Sequence, residues 1–385
     1  MRDAYVNFAG ADPATLWLML GDNAYSDGTD LEYTEAVFQM YPQILRNTVL
    51  WPSPGNHDMR TSSAATQTGP YFESFTLPTQ GEAGGVASGT EAYYSFDYAN
   101  VHFIAIESDD TPREVGGPMY SWLELDLQAN DKDFVIVYWH HPPYSKGSHD
   151  SDSSSHLTEM RENFVPLLED YGVDLHLSGH SHSFERSMLI DGHYGISSTF
   201  NSTHVVDAGD GDPGGDGGYH KPSTGPAPHE GAVYSVVGSS GKTSSGTLDH
   251  PVMVRSIQFE GSMLLEVEGR TLRAWWIGRD GVVQDHFEIA KGLLPACSDG
   301  LDNDEDALVD FPTDPGCASP ASMLENPQCD DGLDNDSDLL VDSDDPECLD
   351  RPWRLREAKR RSCGLGFELG LLLLALLLDR RRRRA

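Results

Sequence analysis

The amino-acid sequence predicts an α/β fold with a separate, acidic, disulfide-stapled tail. Short apolar runs end repeatedly in loops carrying His, Asp or Asn, and between them lie stretches with apolar residues near every third or fourth position. All five cysteines fall in the last quarter of the 385 residues.

In chain order, the strand-like runs are LWLML before Gly21, VLWP before Gly55, FVIVYW before His140 and VDLHLS before Gly179. Helices are expected over 31–45, 120–129 and 157–171. In open α/β sheets ligands gather beyond the carboxyl ends of strands, which is where these polar loops fall. The stretch 261–290 reads as antiparallel hairpins turning at Glu-Gly and Asp-Gly. Between these regions, 208–218 is too rich in Gly and Asp for regular structure and is expected to be an ordered loop near the site.

The formal charge is −36. The segment from Cys297 to Asp350 holds 18 acids and no Lys or Arg, whereas 351–385 carries 11 basic side chains against 3 acidic ones. The expected boundaries are a catalytic domain at 1–292, acidic repeats at 293–350, and a linker with a terminal signal at 351–385. The region before Cys297 is also acidic, which disfavours nucleic acid as a partner; a phosphorylated substrate needs a local positive source such as bound metal. Cys297, Cys317, Cys329 and Cys348 form two similarly spaced pairs, so a disulfide within each pair is expected, in an oxidising compartment. A zinc site is disfavoured because no Cys-x-x-Cys occurs.

Four segments carry chemistry: GDNAY at 21–25, GNHD at 55–58, VYWHH at 137–141 and GHSHSFER at 179–186. Taken singly, His140 and His141 suit a strand terminus, Asn56 a turn and Asp22 a helix cap. Together they offer oxygen donors and imidazoles without thiolate, a set suited to iron, zinc or manganese. Two ions about 3.5 to 4 Å apart can clamp the attacking and leaving oxygens of an in-line displacement.

In that order, the four segments resemble the metallophosphoesterase (calcineurin-like phosphoesterase) superfamily, in its purple acid phosphatase branch. The similarity extends to YSVVGSSGK at 234–242 and DHPVM at 249–253. The resemblance implies a two-sheet β-sandwich flanked by helices that hydrolyses a small phosphate monoester. It makes Asp22 the bridge between two ions, Tyr25 and His182 ligands of Fe(III), and Asn56, His140 and His180 ligands of Zn, Mn or Fe(II). A hydroxide formed on the metals would attack phosphorus. His57 and His149 become the outer histidines that act on the phosphoryl group or leaving oxygen, with His141 and His156 as rivals to His149. A phosphodiesterase on the same centre is the alternative within enzymes. A calcium-binding surface protein with a degenerate phosphatase domain is the alternative outside them.

The family's first motif, Asp-x-Gly on a preceding strand, has no counterpart in residues 1–20. No apolar export segment opens the chain either. Both are expected to be encoded upstream of Met1.

The tail contains a duplication: CSDGLDNDEDALVD at 297–310 matches CDDGLDNDSDLLVD at 329–342. Asp302, Asp304, Asp306 and Asp310, and again Asp334, Asp336, Asp338 and Asp342, stand at positions 1, 3, 5 and 9 of a calcium-loop spacing. They resemble thrombospondin type 3 and related repeats, although Ala307 and Leu339 replace the usual Gly at position 6 and no Glu closes either loop. The ending, from Cys363, combines Cys-Gly, an apolar stretch at 365–378 and five arginines. The apolar stretch falls short of the roughly 20 residues of a comfortable membrane helix. The ending resembles the C-terminal sorting signals of myxobacterium-like Gram-negative bacteria. That similarity implies export, membrane engagement, cleavage by a sorting protease near Cys363, and a fate at the cell surface, in the outer membrane or as a secreted protein.

Overall fold

The computed structural model describes residues 1–356 apart from 12, 300, 305, 320, 321, 323, 336–338, 347 and 350. They form two compact units, Met1–Leu293 and the described residues from Leu294 onward.

The first unit is mixed α/β. After a short helix, Arg2–Ala9, strands β1 (Leu16–Leu20) and β2 (Val49–Ser53) pair in parallel. Seven strands build the main sheet: β3 (Tyr94–Tyr98), β4 (Val101–Ala105), β5 (Phe134–Trp139), β6 (Leu175–Ser178), β7 (Phe184–Ser187), β11 (Val233–Val237) and β12 (Met253–Ile257). Their order is β12-β7-β11-β6-β5-β4-β3, with β4, β5, β6 and β11 parallel. The small ladder of β8 (Leu189–Ile190) and β9 (Val205–Asp207) leads to a four-stranded sheet. That sheet is β10 (Tyr219–Lys221), β15 (Val283–Lys291), β14 (Thr271–Gly278) and β13 (Gly261–Glu268), in this spatial order.

β5 shows why its sequence is an unbroken apolar run: both of its faces are covered. Phe134, Ile136 and Tyr138 join Phe96, Phe184, Trp276 and Phe287 in one core that the two large sheets share. Val135, Val137 and Trp139 face the other way, onto Trp122 and Leu123 of the helix Pro118–Ala129 and onto Phe164 and Leu168. The result is the expected layered sandwich with helices against one face. Buried ion pairs tie the layers. Arg186 on β7 grips Asp285 on β15 through two hydrogen bonds of 2.6 and 2.8 Å, and Lys221 and Lys291 both reach Asp174, at 2.7 and 2.8 Å.

Two expectations need correction. The helix expected over 31–45 is broken: a capping box between Thr29 and Glu32 starts Asp30–Tyr33, a wider π turn follows over Thr34–Phe38, and only a 3-10 turn, Ile44–Arg46, remains beyond. Pro42 lies between the last two, where it removes a donor and disfavours helical geometry in the residue before it. The 208–218 loop is irregular as expected, yet its partners lie on β10, β12 and β15 rather than among the site histidines. Its hydrogen bonds run to Tyr219, Arg255 and Glu288.

In the second unit Cys297 pairs with Cys317 and Cys329 with Cys348, with Cα separations of 5.6 and 5.3 Å. Among the described residues no helix is long and apolar enough to cross a membrane. The sorting-signal stretch, Asp336 and Asp338 lie outside the described residues.

Candidate metal centre

Four strand ends build the centre. β1 ends at Leu20, and Gly21 (φ 83) then turns the chain so that Asp22 (φ 53) points inward. A Cβ at Gly21 would stand 2.4 Å from the His140 ring, and one at Gly55 2.3 Å from the Asp22 amide. These glycines are therefore required by close approach. The loop after β2 brings Asn56 and His57, His140 directly follows the end of β5, and β6 leads into the loop of His180 and His182. His180 also takes a left-handed backbone (φ 58), uncommon outside glycine and enriched where function demands it.

The polar atoms converge closely. His140 Nε2 lies 3.2 Å from Asn56 Oδ1, 3.3 Å from Asp22 Oδ2 and 3.1 Å from His180 Nδ1. His180 Nδ1 lies 3.1 Å from Asn56 Oδ1. Beside them, Tyr25 Oη is 2.8 Å from Asp22 Oδ2 and 3.3 Å from His182 Nε2. Asp22 therefore touches both groups. Among the described residues it is the only carboxylate hydrogen-bonded to Tyr25 or His182.

Tautomers follow from the outer contacts. His140 Nδ1 donates to the Leu20 carbonyl at 2.8 Å, which turns Nε2 toward Asp22, Asn56 and His180. His182 Nδ1 meets Ser244 Oγ at 3.1 Å, leaving Nε2 toward Tyr25. Burial works to lower His140, but Asp22 raises it, so the two hold one proton beside the Asn56 oxygen, where a cation can take its place. Such a donor set fits a cation.

Burial works to raise the Asp22 carboxyl, but His140 and hydrogen bonds from the His57 amide and Tyr25 hold it well below the usual range. Burial, then the neighbouring His140, pushes His180 down to about 2. Both groups are held in the deprotonated form that a metal ligand needs. Burial, then Asp22, pushes the Tyr25 hydroxyl up.

The structure brings together all eight residues expected at the site. His57 anchors Nδ1 on the Ser26 carbonyl at 2.5 Å and directs Nε2 to within 3.9 Å of Asp22. His149 lays its ring over His180, centroids 3.8 Å apart, and burial, then His182, lowers it. Its rival His141 is buried, with Nδ1 2.9 Å from Ser108 Oγ, although its ring nitrogens lie within ligand distance of those of His140 and His180. His156 stacks on His141, farther out.

Sequence reasoning missed the supports. Asp58 is fully buried and accepts from Tyr33, from the Gly55 amide at 2.8 Å and from the Asn23 amide at 3.2 Å, so it locks the GDN and GNH loops together. Burial lifts its carboxyl to about 6. Glu185 accepts from Ser145 (2.6 Å), Ser183 (2.8 Å) and the Lys146 amide (2.9 Å), joining the His149 loop to the His180 loop. Both acids stand inside the GNHD and GHSHSFER segments, and their position after the ligands was the available signal.

Residues 3–184 match the family described as calcineurin-like phosphoesterase. Over these residues, just under half of the chain, the sequence is similar to calcineurin-like phosphoesterases. Its curated relatives include purple acid phosphatase 23 of Arabidopsis thaliana, 33% identical over 34% of this chain and 28% of that protein. Human acid phosphatase type 7 is 26% identical over 44% of this chain and 40% of its own length. A third relative, from Arabidopsis thaliana and named probable inactive purple acid phosphatase 9, is 29% identical over 49% of this chain and 32% of its length. The chain thus spans well under half the length of these relatives. Among solved structures, the purple acid phosphatase PPD1 of yellow lupin shares the fold of this chain, with a TM-score of 0.54 at 17% identity. The match covers 75% of this chain and 48% of that one.

Proposed function

We propose that the metallophosphoesterase domain hydrolyses phosphate monoesters at a dinuclear metal centre. The observation that carries this reading is the meeting of His140 Nε2 with Asp22, Asn56 and His180 at 3.1 to 3.3 Å, with Tyr25 and His182 alongside Asp22. Asn56, His140 and His180 would hold the divalent ion, zinc, manganese or Fe(II). Tyr25 and His182 would hold Fe(III), and Asp22 would bridge. Two ions so held supply acidified water and neutralise charge on the phosphoryl oxygens.

The chain's own groups do the rest. His57, fixed through Nδ1, presents Nε2 on the substrate side and is placed to donate a proton to the leaving oxygen. His149, leaning on His180, is placed to hydrogen-bond a phosphoryl oxygen. Tyr25 Oη lies 2.8 Å from Asp22 Oδ2 and 3.3 Å from His182 Nε2, and an ion held there would favour its phenolate over the burial and the Asp22 charge that oppose ionisation.

The disulfides and the Cys-Gly, apolar and arginine segments of the tail support an exported protein. Its fate would be the cell surface or outer membrane of a Gram-negative bacterium, or secretion after cleavage by a sorting protease. The acidic repeats are read as calcium loops.

Metal analysis and a visible spectrum of active protein test the centre, with turnover of a chromogenic monoester beside a diester. Iron, a charge-transfer band and faster monoester turnover are expected, and Tyr25→Phe should abolish the band while the protein stays folded. Active protein without iron or colour would overturn the ferric assignment. Faster diester turnover would replace the monoester reading.

A further inference from the structure

Two buried carboxylates in the second unit lie outside every position of the calcium-loop spacing. Asp314 is 2% exposed and Glu325 1% exposed. Asp314 Oδ1 accepts from the Gly316 amide at 2.6 Å, while its Oδ2 is buried with no hydrogen-bond donor among the described residues. Glu325 accepts one amide on each oxygen, from Asn303 at 2.6 Å and from Asp310 at 3.1 Å. Each oxygen therefore retains a lone pair. A buried carboxylate oxygen without a donor costs heavily unless a cation meets it.

Asp304, Asp314 and Glu325 bring ligand oxygens within 4.8 Å of one another, and Asp302, Asp304 and Asp306 do the same. Oxygens bound to calcium at about 2.4 Å stand at most about 4.8 Å apart, so each set fits around one ion. Asp304 belongs to both. The loop itself forms despite its missing glycine, because Ala307 adopts φ 74 and donates its amide to Asp302 at 2.9 Å. Asp310, by contrast, accepts the Asp299 amide at 3.0 Å and is in neither set. No lysine or arginine lies between Cys297 and Asp350 to neutralise these acids.

We propose that the first repeat holds one calcium ion whose inner ligands include Asp314 and Glu325, together with Asp304 and its loop neighbours Asp302 and Asp306. This rests on reading the repeats as calcium loops and adds the side of the site that the 1-3-5-9 spacing omits. Six to eight oxygens are what calcium needs, and this loop has Thr313 at position 12 in place of the bidentate acid that usually closes it. The second copy repeats one part of the arrangement: Asp314 precedes Cys317 by three residues, as Asp345, also buried, precedes Cys348.

The test is calcium titration calorimetry on the full chain carrying its resident metals, with wild type, Asp302→Asn, Asp314→Asn and Glu325→Gln compared. Wild type should bind calcium, and each variant should lose one equivalent or bind it at least tenfold more weakly. A wild type that binds no calcium up to millimolar concentration overturns both the loop reading and this proposal. If only Asp302→Asn weakens binding, while folded Asp314→Asn and Glu325→Gln stay within threefold of wild type, the loop reading stands and the proposal fails. Should either buried variant fail to protect its cysteines, amide exchange in wild type decides. Calcium should then slow the Asn303, Asp310 and Gly316 amides, and slowing confined to Asp306–Leu308 overturns the proposal.

Discussion

At the residue scale, the centre separates groups that would hold metal from groups that face substrate. His140 is fully buried with its Nδ1 proton committed to Leu20, so His140→Ala removes the nitrogen that meets Asp22, Asn56 and His180. We expect that variant to lose divalent metal and activity together. His57 approaches Asp22 only to 3.9 Å and hangs from Ser26. His57→Ala should therefore keep both metals and lower turnover by about 10² to 10⁴, the range for a positioned proton donor. Metal content measured beside turnover on one monoester checks both, and a His140→Ala variant with full metal and full rate would sink the assignment. The sequence made these residues legible because each sits where an apolar run stops, and a strand end fixes the direction of the loop that leaves it. Ser244 was not legible: it lies in a stretch of Ser, Thr and Gly with no period, and only the fold reveals that its hydroxyl meets His182.

At the element scale, β5 and the 261–290 hairpins were legible because one is covered on both faces and the others alternate between tight turns. The β3–β4 hairpin, by contrast, turns at Ala99 (φ 51) and Asn100 without a glycine, so no turn signal marked it. Polar residues buried between elements were equally silent. Glu169 closes the helix Val165–Asp170 and accepts from the Gly192 amide (2.8 Å), Tyr194 (2.7 Å) and Tyr234 (3.0 Å), tying that helix to the β8 turn and to β11. Burial lifts its carboxyl to about 7 despite these donors. Because the folded value lies above the unfolded one, the protonated form favours folding. Its stabilisation is complete below about pH 4.5 and is lost as pH rises through 7, with a swing on the order of 3 kcal/mol. Glu169→Gln mimics the protonated form. Melting temperatures from pH 4.5 to 8 should fall more steeply for wild type than for this variant; parallel curves would show that Glu169 does not drive the slope.

At the scale of the whole molecule, all the described covalent crosslinks belong to the second unit. The first unit contains no cysteine and draws its stability from sheets that share one core and from pairs such as Arg186–Asp285. Among the described residues of the second, the buried hydrophobic side chains are the four bridged cysteines, and acidic charges are many, so little besides its two bridges restrains its chain. Closing loops with sequence separations of 20 and 19 residues contributes about 3 kcal/mol each in the chain-entropy account. Removing both should outweigh what so small an acidic unit gains from burial. Reduction is therefore expected to divide the molecule's properties. With dithiothreitol, phosphoester turnover and metal content should stay within about twofold of the oxidised protein, while the segment beyond Leu294 becomes protease-sensitive and calcium binding disappears. Limited proteolysis read by mass spectrometry, run beside the turnover assay, checks this. Turnover that collapses in step with cleavage beyond Leu294, at unchanged metal content, would show that catalysis depends on the stapled unit.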